Sequence, residues 1–170
     1  PGYRTADVPT AYHYRETGGL SAAVERCSGL GACRQRLTGT MCPSYRATRD
    51  EQHSTRGRAN ALRLALSGQL ARGQLGSKEL FEVMDLCLSC KACKAECPSN
   101  VDLARLKSEF LQAYHEAHGT SLRERIIARS PEMAAFCAGW KAPFVNAIQQ
   151  TLWFRWLLEK IAGFDARRVP

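Results

Sequence analysis

Between positions 56 and 118 the apolar residues return every three or four positions, the spacing that gathers side chains on one face of an α-helix. Ala59, Leu62, Leu66 and Leu70 form one such stripe, predicting a helix over 56–70 that Ser54 or Thr55 caps and Gly73 and Gly76 end. Ser77 opens a second helix, in which Leu80, Phe81, Val83, Met84 and Leu86 run straight into Cys87. After Pro98, Asn100 is placed to cap a third helix over 101–118, with Leu103, Leu106, Phe110 and Tyr114 as its stripe and Gly119 as its stop. Shorter helices are predicted over 21–26, 121–128, 131–139 and 143–162, and the stretch 33–50, broken by Gly39 and Pro43, is expected to be loop. No segment alternates apolar and polar residues convincingly as a strand would, so the expected fold class is all-α, an alpha-helical module with two cysteine-rich loops. The expected organisation is an irregular lead-in over 1–20, a two-centre helical domain over 21–120, and a helical extension over 121–170. That extension either packs on the domain or leads to a further one downstream.

The loops between these helices carry the chemistry. Cys87, Cys90, Cys93 and Cys97 with Pro98 read C-x2-C-x2-C-x3-C-P, the ligand run of bacterial ferredoxins, in which three thiolates hold one cluster and the fourth serves another. Three thiols within seven residues would crowd any disulfide scheme but suit a metal centre. Zinc is the competing reading, although its sites favour two separated C-x2-C pairs or a cysteine–histidine mixture. A partner motif lies upstream, with Cys27, Cys33 and then Cys42 followed by Pro43. Exchanging the two Cys-Pro cysteines gives centre A on Cys87, Cys90, Cys93 and Cys42, and centre B on Cys27, Cys33 and Cys97.

Centre A then has four thiolates and centre B three, because Leu30 occupies the middle position of the first motif. The C-x5-C spacing of Cys27 and Cys33 resembles that of the succinate dehydrogenase and fumarate reductase iron–sulfur subunits, which implies a [3Fe–4S] cluster. The alternative is a [4Fe–4S] cluster completed by His53 or, less favourably, Cys137. Both readings stay open on sequence, and so do packing roles for His53 and Cys137.

Charge and hydropathy change this picture little. The formal charge of +8 would suit an anionic partner, but cluster-bound thiolates offset it, and no basic patch interleaved with aromatics points to nucleic acid. Arg34, Arg36, Arg46, Lys91 and Lys94 are placed to balance the clusters' charge. The apolar stretch 134–163 is interrupted by Lys141, Asn146, Gln149, Gln150, Arg155, Glu159 and Lys160, so no transmembrane helix is expected. Its Phe144, Trp153, Phe154 and Trp156 leave packing against protein, or peripheral contact with a membrane, as its readings. The N-terminus lacks a signal peptide's charged and apolar regions, which with clustered thiols points to the cytoplasm. The opening Pro1 suggests an excised piece of a longer chain.

The stretches E-R-C-S-G-L-G-A-C-R, G-T-M-C-P-S-Y-R-A-T-R-D-E-Q-H-S-T-R-G-R-A-N and M-D-L-C-L-S-C-K-A-C-K-A-E-C-P-S-N-V-D resemble the iron–sulfur portion of FAD-linked oxidoreductases of the D-lactate and D-2-hydroxyglutarate dehydrogenase type. The glycolate oxidase iron–sulfur subunit is related. The resemblance covers 24–111 and implies a [4Fe–4S] cluster, a second [3Fe–4S] or [4Fe–4S] cluster, and FAD on an upstream domain of the same protein. The function implied is an electron relay from flavin to an unidentified acceptor, with substrate chemistry elsewhere. Ser54, Thr55, Arg56 and Arg58 become candidates for flanking a cluster or meeting the flavin domain, against plain helix capping. A structural zinc domain and a heterodisulfide-reductase-like subunit are the alternatives.

Overall fold

In the computed structural model, which describes residues 4–70 and 75–168, the chain is helical with no strand among the described residues. It divides into two compact units, residues 1–118 and 119–170.

The first unit is built from α1 (Leu20–Glu25), α2 (Pro43–Thr48), α3 (Thr55–Leu66), α4 (Lys78–Asp85), α5 (Ala92–Glu96) and α6 (Leu103–His118). α3 is its hub, packing against α1, α4 and α6. Its stripe of Ala59, Leu62 and Leu66 is buried together with Leu80 and Met84 of α4 and with Leu103, Leu106 and Phe110 of α6. Fully burying one such aliphatic or aromatic side chain is worth about 1.5–3 kcal/mol, so this shared core holds the cysteine loops in register. Phe81 stacks on Tyr114 with centroids 4.6 Å apart. The lead-in is tied across α6, where the buried Glu109 carboxylate accepts from the backbone N–H of Ala11 (2.9 Å) and Tyr12 (2.7 Å) and Arg105 lies over the Tyr14 ring.

Several boundaries differ from expectation. α3 stops at Leu66, not Leu70, because Gly68 takes a left-handed φ of 71° and the N–H of Gln69 turns back to the Leu64 carbonyl, a helix-ending arrangement that leaves Leu70 partly exposed. The expected stop at Gly73 lies outside the described residues. The stretch 33–50 is not all loop: Pro43, at the first position of α2, has the fixed φ and missing N–H that suit a helix start. α5 was not expected either, being too short to show a periodicity. Asn100 does not cap α6, since it is left-handed (φ 52°); the Asp102 carboxylate instead accepts from the Arg105 N–H.

The second unit contains α7 (Leu122–Ala128), α8 (Ser130–Cys137), α9 (Ala142–Gln150) and α10 (Leu152–Ala162). Ser121 and Glu124 form a reciprocal capping box at the start of α7. The single helix expected over 143–162 is two, broken at Thr151, whose extended ψ of 137° ends one and starts the next. The unit's large apolar side chains, among them Phe136, Trp140, Phe144 and Trp153, are mostly exposed. No helix among the described residues is long and apolar enough to cross a membrane.

Candidate metal centres

The run from Cys87 to Cys93 curls back on itself because Ser89 (φ 50°) and Lys91 (φ 61°) are both left-handed, a conformation that non-glycine residues adopt at a cost and that concentrates at functional sites. As a result Cys87, Cys90 and Cys93 wall one small hollow, and the residue that closes it from the other loop is Cys42. A second hollow is walled by Cys27 and Cys33 of the first motif and by Cys97 of the second. The Cys-Pro cysteine of each motif thus sits in the other motif's hollow. None of the eight cysteines is in a disulfide.

Each hollow receives the N-terminus of a helix. At the second hollow Ser54 caps α3, its hydroxyl accepting from the Gly57 N–H at 2.9 Å, and the Arg56 N–H donates to the Cys33 sulfur at 3.4 Å. At the first, Leu103 and Ala104, which open α6, wall the hollow together with Cys93. A helix start carries partial positive charge and unpaired donors, which suits bound thiolates. Burial still raises the Cys33 and Cys93 thiols above their ordinary value, with those donors pulling the other way. A protein that buries thiols beside such donors favours ligation over free thiol chemistry.

The surrounding charges are unequal. Arg58 is fully buried, and its Nη1 donates to the Ser44 hydroxyl (2.9 Å) and the His53 carbonyl (2.6 Å) and approaches the Cys42 sulfur at 3.6 Å. Its Nε donates to the Val83 carbonyl at 3.0 Å. Lys107 donates to the Cys87 carbonyl at 2.7 Å, and burial lowers its pKa. At the second hollow Arg56 reaches the Gly29 carbonyl (3.0 Å) and pairs with Glu51 (2.7 Å), while Arg63 donates to the Cys27 carbonyl at 3.1 Å. Two of the cations expected to balance the clusters are engaged with carboxylates, Arg34 with Glu51 and Lys94 with Asp102; Lys91 walls the first hollow.

Glu96, not singled out from sequence, holds the two motifs together. Its carboxylate accepts from the N–H groups of Thr40 (2.9 Å) and Met41 (3.0 Å) and from the Thr40 hydroxyl, fixing the strand of chain that delivers Cys42. Those bonds, the Thr40 hydroxyl's first, hold its pKa below the usual carboxylate value. Only its helical neighbourhood, between Cys93 and Cys97, hinted at such a role.

The remaining candidates fall as follows. Leu30 walls the second hollow at the position where a fourth cysteine would stand, and is 72% exposed. Leu88 walls the first and is 71% exposed. The His53 ring does not wall the second hollow; its Nδ1 lies 2.9 Å from the Thr48 hydroxyl. Cys137 is a half-buried residue of the second unit. Thr55 walls both hollows, is buried, and its hydroxyl has no hydrogen-bond partner.

Iron–sulfur clusters fit this donor set. The cysteines wall two hollows, Cys42, Cys87, Cys90 and Cys93 at the first and Cys27, Cys33 and Cys97 at the second. A tetrahedral zinc draws its sulfurs to about 2.3 Å from one point, whereas a cluster occupies a volume that its ligands surround.

Helices enclosing two thiol-lined hollows with exchanged Cys-Pro ligand positions define a two-centre iron–sulfur domain. Residues 25–102 match the 4Fe-4S dicluster domain family. The chain is similar to the D-2-hydroxyglutarate dehydrogenase of Pseudomonas putida, at 31% identity over 94% of this chain and 18% of the relative. It is similar as well to the D-2-hydroxyglutarate dehydrogenase of Escherichia coli (30%; 92% and 18%) and to a probable glycolate oxidase iron–sulfur subunit of Bacillus subtilis (35%; 52% and 19%). It therefore spans less than a fifth of the length of these relatives. No solved structure matches it. The family match favours iron–sulfur chemistry over structural zinc.

Proposed function

We propose that this chain is the relay segment of a FAD-linked 2-hydroxy-acid dehydrogenase or oxidase, passing electrons one at a time from a reduced flavin on another domain of the same protein to an acceptor. The observation that carries this reading is the pair of adjoining hollows, each with a cysteine from either motif and with Thr55 as a common wall. Cys42, Cys87, Cys90 and Cys93 are the ligands of a [4Fe–4S] centre. Cys27, Cys33 and Cys97 hold the second, of the [3Fe–4S] type, since Leu30 takes the fourth position and the His53 ring is engaged with Thr48. When bound, such centres supply one-electron acceptors with potentials anywhere between about −700 and +450 mV, set by charge, hydrogen bonds and exposure.

The protein's own contribution is positional. Glu96 holds the Cys42 segment against α5, the start of α3 offers a donor to Cys33 while that of α6 lies beside Cys93, and buried Arg58 sets a fixed positive charge beside Cys42. Buried Arg58 and half-buried Lys107 stand beside the first hollow, whereas at the second Arg56 and Arg34 share Glu51 and Arg63 holds the Cys27 carbonyl. The chain works in the cytoplasm, and the exposed aromatics of α9 and α10 provide peripheral contact with a membrane or with a neighbouring domain.

Anaerobic reconstitution followed by iron, sulfide and zinc analysis tests the reading, together with EPR of oxidised and reduced protein. Iron and sulfide for two clusters, and a paramagnetic oxidised three-iron signal, are expected. Cys90→Ser should remove the signal of the four-iron centre and spare the other. Stoichiometric zinc with no redox signal, or a Cys90→Ser protein with both signals intact, would sink the assignment.

A further inference from the structure

Thr55 is the only residue common to the walls of both hollows among the described residues. It is the first residue of the 12-residue helix α3, 2% exposed, and its Oγ1 is shut off from solvent with no hydrogen-bond partner. The neighbouring Ser54 hydroxyl, by contrast, is fully employed: it accepts from the Gly57 N–H and donates to the Glu51 carbonyl at 2.8 Å. A buried hydroxyl left unpaired costs about 1–3 kcal/mol, and such groups are rare unless something else in the site takes the bond. Here the acceptors that fit are the sulfurs of a bound cluster, on either side.

Resting on the relay reading, we propose that Thr55 is a potential-setting residue shared by the two centres, its single O–H donating to a sulfur of whichever centre has gained an electron. A hydroxyl has one proton to donate and rotates freely about its C–O bond, so it serves two acceptors in turn but not together. Each reduction adds one negative charge to a cluster, and a hydrogen bond to its sulfur favours that reduced state, raising the potential. The first electron to enter gains this bond; the second finds it taken. Thr55 thereby spreads the two potentials apart, with no proton transferred and no bond to iron.

Spectroelectrochemical titration of the reconstituted chain, read by EPR, tests this with Thr55→Val and Thr55→Ser in three backgrounds: wild type, Cys90→Ser with only the second centre, and Cys33→Ser with only the first. Each isolated centre should move to a more negative midpoint with valine and stay at its starting value with serine. In the two-centre protein valine should narrow the gap between the midpoints. A shift confined to one isolated centre, no shift in either, or a serine shift as large as the valine one would overturn the proposal. Loss of both clusters in Thr55→Val and Thr55→Ala, with retention in Thr55→Ser, would assign the residue to assembly and overturn it as well. A wild-type chain that takes up no iron and sulfide would instead bring down the relay reading itself.

Discussion

At the scale of single residues, the two centres differ most at Leu30 and Arg58. Leu30 stands where the second motif would place its middle cysteine, in the wall of the second hollow. Leu30→Cys is therefore expected to complete a four-thiolate set and abolish the oxidised three-iron EPR signal, with iron content rising by one per chain. Arg58 is buried with no exposure and ties α4 to the Cys42 region through three oxygens, the Val83 and His53 carbonyls and the Ser44 hydroxyl. Arg58→Met keeps the volume but strands those acceptors, and hydrogen bonds to a charged group are worth about 1.5–3 kcal/mol each. Denaturant unfolding should show a loss of at least about 2 kcal/mol, and the first centre's potential should fall as its nearest buried cation disappears. Sequence alone had brought Arg58 forward only through the family resemblance, because nothing in a lone arginine at helical spacing distinguishes a solvated side chain from a buried one.

Among the elements, α3 does the most, since one helix supplies core packing, a cap, a donor for Cys33 and the wall between hollows. Its first turn lies directly on the turn at Glu51–His53: a Cβ on Gly57 would fall 2.0 Å from the Glu51 carbonyl oxygen. Backbone cannot yield cheaply there, so Gly57→Ala should destabilise by about 1–3 kcal/mol in thermal or denaturant unfolding and loosen cluster retention. The stripe of this helix and that of α6 were legible because both are long enough for the 3.6 period to repeat. α2 and α5, of six and five residues, were not, although Pro43 was a usable start signal. The exchange of Cys42 and Cys97 between hollows was legible from the Cys-Pro spacing. The clamp by Glu96 was not, because it joins residues 55 and 56 positions apart, and no local pattern encodes such a bond.

For the molecule as a whole, carboxylates decide how the cluster-bearing unit responds to acid. The Glu96 bonds depress its pKa in the folded chain; at Glu51 burial pulls upward but Arg56, Arg34 and Ser54 outweigh it. Groups lowered in this way contribute stability that is complete above their unfolded value, about 4.3, and is lost as the pH falls through the folded one. Unfolding midpoints followed by circular dichroism should thus decline on acidification below that range, and Glu96→Gln should flatten part of the decline. The helices of the second unit leave Trp140, Phe144 and Trp153 in water, and surfaces of that kind are usually covered by something. Leu30 and Leu88 pose the same question on a smaller scale. Each is an oily rim on a redox centre, and a rim open to water is open to dissolved oxygen too. For the relay proposed above, these two exposed leucines mark where a covering surface would shield the centres from dissolved oxygen, as insulation does a wire.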